Sequence, residues 1–372
     1  MNTDWGHVRA QFPALANWTY LNTATYGQLP RRATDAVARH FAHRDELACW
    51  DFLQWFDDSD RLREQLARLI HCEPADIAFI PNASTALAVL ISGLEWRPGD
   101  RIVALEEEFP NNIYAPSVLE RRGIEFVETP WDDFYAAINE RTRLVVMSSA
   151  NYATGFTPPL EEIADFLRRR DILFYVDGTQ TVGAIQFDVR RIEPDMLAVH
   201  GYKWLISPDG AGFMYVSPRL RGRLPPMVVG WRSHRDWRNV DNLHHGAPEF
   251  SETAEKYEGA LLPSALLYAM QGSVELILDI GPDVIERRVL ELAGHVRDIA
   301  RKLGGEPVAK GCGIVAIRFD GVDPSPLARA LKEKRVLVAA RHGCLRVSPH
   351  FYNNEDDLEH FRAALSSVLN KT

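Results

Sequence analysis

Short apolar, β-branched runs alternate with segments of helical periodicity through the first two-thirds of the chain. The strand candidates are Ile77–Pro81, Arg101–Leu105, Ile124–Glu128, Leu144–Ser148, Ile172–Val176, Met196–Val199 and Gly212–Val216. Between them lie helical patterns such as Leu160–Arg170, which sets Ile163, Phe166 and Leu167 on one face. Strands that are apolar at nearly every position, rather than at alternate ones, need cover on both faces. The pattern therefore predicts an α/β architecture with a mostly parallel seven-stranded sheet flanked by helices. The rhythm changes after about residue 260. A long helix is predicted over Pro282–Leu303, with Val289, Leu292, Val296 and Ile299 at helical spacing and a stop at Gly304-Gly305. Strands Gly313–Phe319, Val336–Ala340 and Leu345–Ser348 follow, interrupted by a helix over Pro326–Arg335. The expected organisation is a large domain over 20–259 and a smaller α+β domain over 260–372, the latter joined by the N-terminal segment 1–19.

Composition narrows the class of protein. The chain has 372 residues, 46% hydrophobic and 25% charged, an ordinary globular balance at a length that suits two domains. Its net charge of −9 argues against a nucleic-acid or anionic-membrane partner. The longest apolar stretch, Ala86 to Leu94, is too short to span a bilayer, and the polar Met1–Pro13 does not read as a signal peptide. Four scattered cysteines with no CxxC spacing predict reduced thiols and a cytoplasmic location. The pairs His40/His43 and His244/His245 lack Cys or carboxylate partners at ligand spacing, so no metal is expected.

Four features carry candidate chemistry. Asp177, in Tyr175-Val-Asp177-Gly-Thr-Gln180, stands just past a buried strand, where α/β sheets meet their ligands; it equally suits a helix N-cap. Lys203, in His200-Gly-Tyr202-Lys203-Trp204, follows another apolar strand. Partial desolvation there would lower its pKa and make it nucleophilic, whereas a lone lysine would more often snorkel over Trp204. Asn82-Ala-Ser84-Thr85 opens an apolar helix, so its free amides and hydroxyls suit a phosphate, or serve as a plain cap. Arg346, with Arg341 close by, offers a planar fork for a carboxylate or for a structural ion pair. A GxGxxA string at Gly311-Cys-Gly313 runs into a strand instead of out of one, the wrong geometry for a dinucleotide.

The order of these features resembles the fold-type I enzymes that use pyridoxal 5′-phosphate. More narrowly it is similar to the class V aminotransferase family, which includes cysteine desulfurases, kynureninase-like enzymes and isopenicillin N epimerase-like proteins. The resemblance runs from Tyr20-Leu-Asn-Thr-Ala-Thr25 to Asn353; its most specific parts are Val176-Asp177-Gly-Thr-Gln180, Tyr202-Lys203-Trp204-Leu and Leu345-Arg346-Val-Ser-Pro. It implies that Lys203 holds the cofactor as a Schiff base and shuttles the Cα proton. It also implies that Asp177 pairs with the pyridinium nitrogen, keeping the ring an electron sink, and that Gln180 meets the phenolic oxygen. Ser84 and Thr85 would hold the phosphate, with His200 and Tyr202 available as further donors. Phe109, in Glu108-Phe109-Pro110, would stack on the ring; a core Phe is the alternative. Asn151 would touch cofactor or substrate carboxylate, with the register open by one residue. Arg346 would grip the substrate α-carboxylate, and a homodimer is implied because the family site lies between subunits.

Three departures qualify this picture. Phe109 stands where cysteine desulfurases carry His. His200-Gly-Tyr202 replaces the familiar Ser-x-His before the lysine. Ala260 stands where many relatives have a Thr whose hydroxyl reaches the partner's phosphate. The expected activity is an aminotransferase acting on an amino acid, while epimerisation and β-elimination share its first steps. A cysteine desulfurase using Cys344 is the rival, although that Cys, two residues before Arg346, also suits a small buried side chain. A non-catalytic PLP-binding protein is a third reading, disfavoured by intact Lys203 and Asp177. Trp231, Trp237, Tyr26 and His234 are candidates for the substrate side-chain pocket.

Overall fold

The computed structural model describes residues 3–370; Met1, Asn2, Lys371 and Thr372, at the outer ends of the two terminal segments assigned above, lie outside the described residues. The seven-stranded sheet runs in the order Ile77–Ile80, Gly212–Val216, Met196–His200, Leu173–Asp177, Thr142–Ser148, Arg101–Leu105 and Glu125–Thr129. Gly212–Val216 is antiparallel to both of its neighbours, and the remaining pairings are parallel. Strand parity splits the core in two. Phe174, Val176, Leu197 and Val199 join the apolar cluster on one face, while Leu173, Tyr175, Met196 and Ala198 join the cluster on the other. The second face is covered by the helix Ala83–Gly93, which contributes Ala86, Leu87 and Leu90.

Three long helices were not distinguished by the strand-led reading: Arg31–Leu47, Phe52–Ile70 and Ser264–Ile280. The last contributes Leu267, Met270, Val274 and Ile277 to the cluster of the large sheet, so it packs with the sheet domain despite following residue 260. Helix Pro282–Lys302 packs partly against a third cluster built on the four-stranded C-terminal sheet. That sheet holds Gly305–Pro307, Val315–Phe319, Ala339–Arg341 and Cys344–Val347, all antiparallel. The single strand expected over Val336–Ala340 is two. Val336–Leu337 pairs in parallel with Thr19–Tyr20, and Ala339–Arg341 turns to pair with Cys344–Val347. Thr19–Tyr20 thus leads the chain from the C-terminal lobe directly into the segment that meets the site.

Candidate active site

Asp177 ends a strand whose five residues are all buried, and its Cα partners are Ser148 and Ala198 on the flanking strands. As an odd-numbered residue it projects on the Tyr175 side, toward the start of helix Ala83–Gly93, where the Tyr175 hydroxyl donates to the Ala83 carbonyl (3.2 Å). Its Oδ1 accepts the Thr179 amide hydrogen (2.9 Å). Burial pushes its pKa up, opposed by hydrogen bonds from Thr179 and by the charge on Lys203.

Lys203 follows the neighbouring strand after a tight turn and is 6% exposed. Burial pulls its pKa down to about 8; Asp177 opposes this, and Arg346 and Arg341 add to it. Among the described residues Asp177 and Lys203 form no ion pair, although each feels the other's charge. Both line one cavity, together with Phe109, Gln180, His200 and Tyr202, and with Ser148, Tyr152 and Thr179, which sequence reasoning had not named. The Lys203 Nζ lies 5.2 Å from the centre of the Phe109 ring and 5.3 Å from that of Tyr202. A buried acid and a depressed amine facing one cavity without touching leave room for a group bearing a positive ring atom on one side and an electrophile on the other.

Thr179 and Gln180 build the cavity wall by their second bonds. The Thr179 hydroxyl accepts the His200 amide hydrogen (3.1 Å), tying the Asp177 loop to the Lys203 loop. Gln180 accepts from the Trp204 indole through Oε1 (2.9 Å) and donates to the Ala24 carbonyl through Nε2 (3.2 Å), keeping one amide hydrogen in reserve. Its two partners fix which end of the amide faces the cavity. His200 Nε2 accepts from the Gly210 amide (3.3 Å), and burial lowers the His200 pKa to about 4, so the ring is neutral.

The segment 20–27 packs against the loops that line the cavity. Thr25 accepts from Arg346 Nη2, Gly27 donates its amide hydrogen to the Tyr202 carbonyl (2.8 Å), and Tyr26 packs edge-on against Tyr202. A side chain at Gly27 would overlap the Lys203 carbonyl oxygen, so only glycine allows the two loops to close. Arg346 is 1% exposed and also donates to the Tyr152 carbonyl, while its buried Nε has no partner. Burial lowers its pKa to about 10, with Arg341 contributing.

Three expected residues are placed differently. Asn151 is not brought to the cavity: its Oδ1 accepts from the amides of Ala153 and Thr154, and its Nδ2 donates to the Glu107 carbonyl. The side chain is spent on the turn, and Tyr152, one residue on, lines the cavity instead. At the helix start it is Ala83 that borders the cavity, with Ser84 beside it and half-buried. The amide and hydroxyl of Thr85 both donate to the N-cap Asn82 (3.0 and 3.2 Å). Of the pocket candidates, Tyr26 alone touches a cavity residue. Trp231 and Trp237 pack on Phe56, and His234 stacks on His244.

Behind the cavity, Glu108 is buried and accepts from the Ser148 amide (2.7 Å), the Ser148 hydroxyl and Asn112 Nδ2 (3.0 Å). Burial raises its pKa, and the charge on Asp177 adds to the rise. The three donors clamp the strand end carrying Ser148 against the loop carrying Phe109, a contact between positions 40 residues apart.

A buried lysine and a buried aspartate at the carboxyl ends of adjacent strands, with an arginine from the C-terminal lobe, define a PLP-enzyme-like site on an α/β sheet. The chain belongs to the class V aminotransferase family, which it matches over residues 39–366. It is 29% identical to the isopenicillin N epimerase of Streptomyces clavuligerus over 98% of each chain. It is 26% identical to YcbU, an uncharacterized aminotransferase of Bacillus subtilis, over 98% of this chain and 97% of that one. Among solved structures, a lysine-to-alanine mutant of C-DES with glycine covalently linked to its PLP cofactor superposes with a TM-score of 0.88. The identity is 25%, covering 96% of this chain and 98% of that chain.

Proposed function

We propose that the protein is a PLP-dependent enzyme that removes the Cα proton of an amino acid, with aminotransferase as the reaction. The observation that carries this is the pair Asp177 and Lys203, set apart across one buried cavity, the amine pushed toward its neutral form and the buried carboxylate left without a cation bonded to it among the described residues. When bound, pyridoxal phosphate supplies an aldehyde that condenses with amines and a protonated pyridine ring that draws electrons from Cα. Lys203, with its pKa lowered to about 8, presents a useful neutral fraction at pH 7, so its amine would be the group to hold the aldehyde and to take up a proton. Asp177 is the carboxylate for the ring nitrogen, and the spare amide hydrogen of Gln180 serves the phenolic oxygen. Phe109 covers the ring. Ser84, His200 and Tyr202 serve the phosphate end, where the start of helix Ala83–Gly93 adds free amides. Arg346, held by Thr25 and the Tyr152 carbonyl beside the cavity, takes the substrate α-carboxylate.

The test is spectroscopic. Protein supplied with pyridoxal phosphate should turn yellow, and borohydride should abolish the visible band; a protein that stays colourless sinks the reading. A screen of amino acids against that band then separates transamination, which converts the cofactor to its amine form, from epimerisation and elimination, which return it. The desulfurase alternative has less support, because Cys344 is buried in a strand paired on both edges and not on a loop free to swing.

A homodimer is supported by an exposed apolar patch. Met227, Val228, Val229 and Leu261 are all more than a third exposed, and Gly259, two residues before Leu261, lies close to Val228. Light scattering should give twice the chain mass of 42.1 kDa; a monomer at micromolar concentration would exclude it. A cytoplasmic location is supported by four unpaired thiols, and cell fractionation tests it.

A further inference from the structure

Two guanidinium groups share one face of the C-terminal hairpin. Where Ala339–Arg341 pairs with Cys344–Val347, Arg341 lies opposite Cys344 and Ala339 lies opposite Arg346. Residues opposed across an antiparallel pair point the same way, as do residues two apart along a strand. Arg341 and Arg346 therefore emerge on the same side, with the small Cys344 and Ala339 between them. On that side Arg346 reaches the residues around the cavity, donating to the carbonyl of Tyr152, whose ring lines it.

Their partners differ. Arg346 is held by Thr25 and by the Tyr152 carbonyl. Arg341 donates only to the Ala340 carbonyl of its own strand (2.8 Å), and no carboxylate pairs with it among the described residues. Tyr152 connects the two regions. Its ring lines the cavity edge-on to Phe109 (5.2 Å), and its hydroxyl is hydrogen-bonded to His342 Nε2 (2.7 Å), next to Arg341 in sequence. Glu107 lies against His342 (3.8 Å) and forms no ion pair with Arg341 among the described residues. With a substrate α-carboxylate on Arg346, Arg341 would still have no anion of its own among the described residues. Like charges held together without an anion are unfavourable and mark a place where one is recruited.

We propose that Arg341 is the subsite for a second acidic group, so that the enzyme prefers amino acids carrying a side-chain carboxylate over neutral ones. The proposal rests on the reading above in one respect, that Arg346 takes the α-carboxylate. Arg341 then fixes the far end of the substrate, with the Tyr152 phenol and Phe109 forming the wall between.

Glutarate and butyrate test this, because neither has an amine and neither enters the reaction. Calorimetry on the chain with and without pyridoxal phosphate should show glutarate binding about tenfold more tightly than butyrate, the worth of one charge-assisted hydrogen bond. Arg341→Gln should erase that preference and leave butyrate within about twofold, whereas Arg346→Gln should weaken both ligands. A wild-type protein that does not favour glutarate overturns the proposal, as does a preference that survives Arg341→Gln. Equal weakening of both ligands in Arg341→Gln also overturns it, since Arg341 would then belong to the α-carboxylate grip. Failure to load pyridoxal phosphate would defeat the assigned reaction, yet the Arg341 dependence would still be decided on the cofactor-free chain.

Discussion

Lys203→Ala should lower turnover more than about a thousandfold, the scale of losing a positioned acid–base group together with the covalent anchor. The loss should come with a folded protein, because among the described residues the side chain makes no hydrogen bond or ion pair that the fold relies on. A companion substitution separates function from stability. Burial lowers the amine from 10.5 to about 8, so the native state disfavours the charged form that the unfolded chain carries. The sign follows from linkage. Below pH 8 the full penalty acts, between 8 and 10.5 it shrinks, and above 10.5 both states are neutral and it vanishes. The shift corresponds to at most about 3 kcal/mol. Cofactor-free Lys203→Met should therefore be more stable than wild type in urea at pH 7, and the advantage should fade as pH rises past 8. An advantage that grew with pH would mean that Lys203 is not buried as a destabilised cation. The stability given up here is the source of its reactivity.

How much of this could be read in the residues varies from element to element. The strands around Asp177 and Lys203 are buried on both faces, and a continuous apolar run reports that environment directly. The motif residues Asp177, Gln180 and Lys203 stand out because each follows such a run within a few positions. The order of the sheet does not show in the same way, since Ile77–Ile80 and Gly212–Val216 pair across more than a hundred residues. Nor does the closing of segment 20–27 on the Lys203 loop: Gly27 is an unremarkable glycine until the Lys203 carbonyl is seen against it. Asn151 and Tyr152 show the limit of motif register. An Asn in a turn hydrogen-bonds its own backbone as readily as a ligand, and here the turn takes it. Arg341 stands out in the sequence only as a neighbour of Arg346, and its lack of an acidic partner among the described residues is a property of the folded chain.

Asp177→Asn should be the second most damaging change at the site. Its shape is retained, so the Thr179 amide can still be accepted, and only the charge is lost. In the cofactor-free protein the substitution should be mild, because burial already raises the Asp177 pKa and makes its ionised form unfavourable. In the loaded protein it should be severe, since a positive ring nitrogen would face a neutral amide in a buried site. Removing one partner of a buried charge pair costs about 3–5 kcal/mol, which corresponds to a loss of roughly a hundredfold to several thousandfold. The expected signature is therefore a contrast: urea stability of the cofactor-free chain close to wild type, with turnover and retention of the cofactor on dialysis both sharply reduced. Asp177→Glu should recover part of the loss if its longer arm is accommodated, because charge and not hydrogen bonding is what the position supplies. An Asn variant that keeps both its turnover and its cofactor would show that the carboxylate does not face the ring nitrogen, and would leave the strand-end cap as its role.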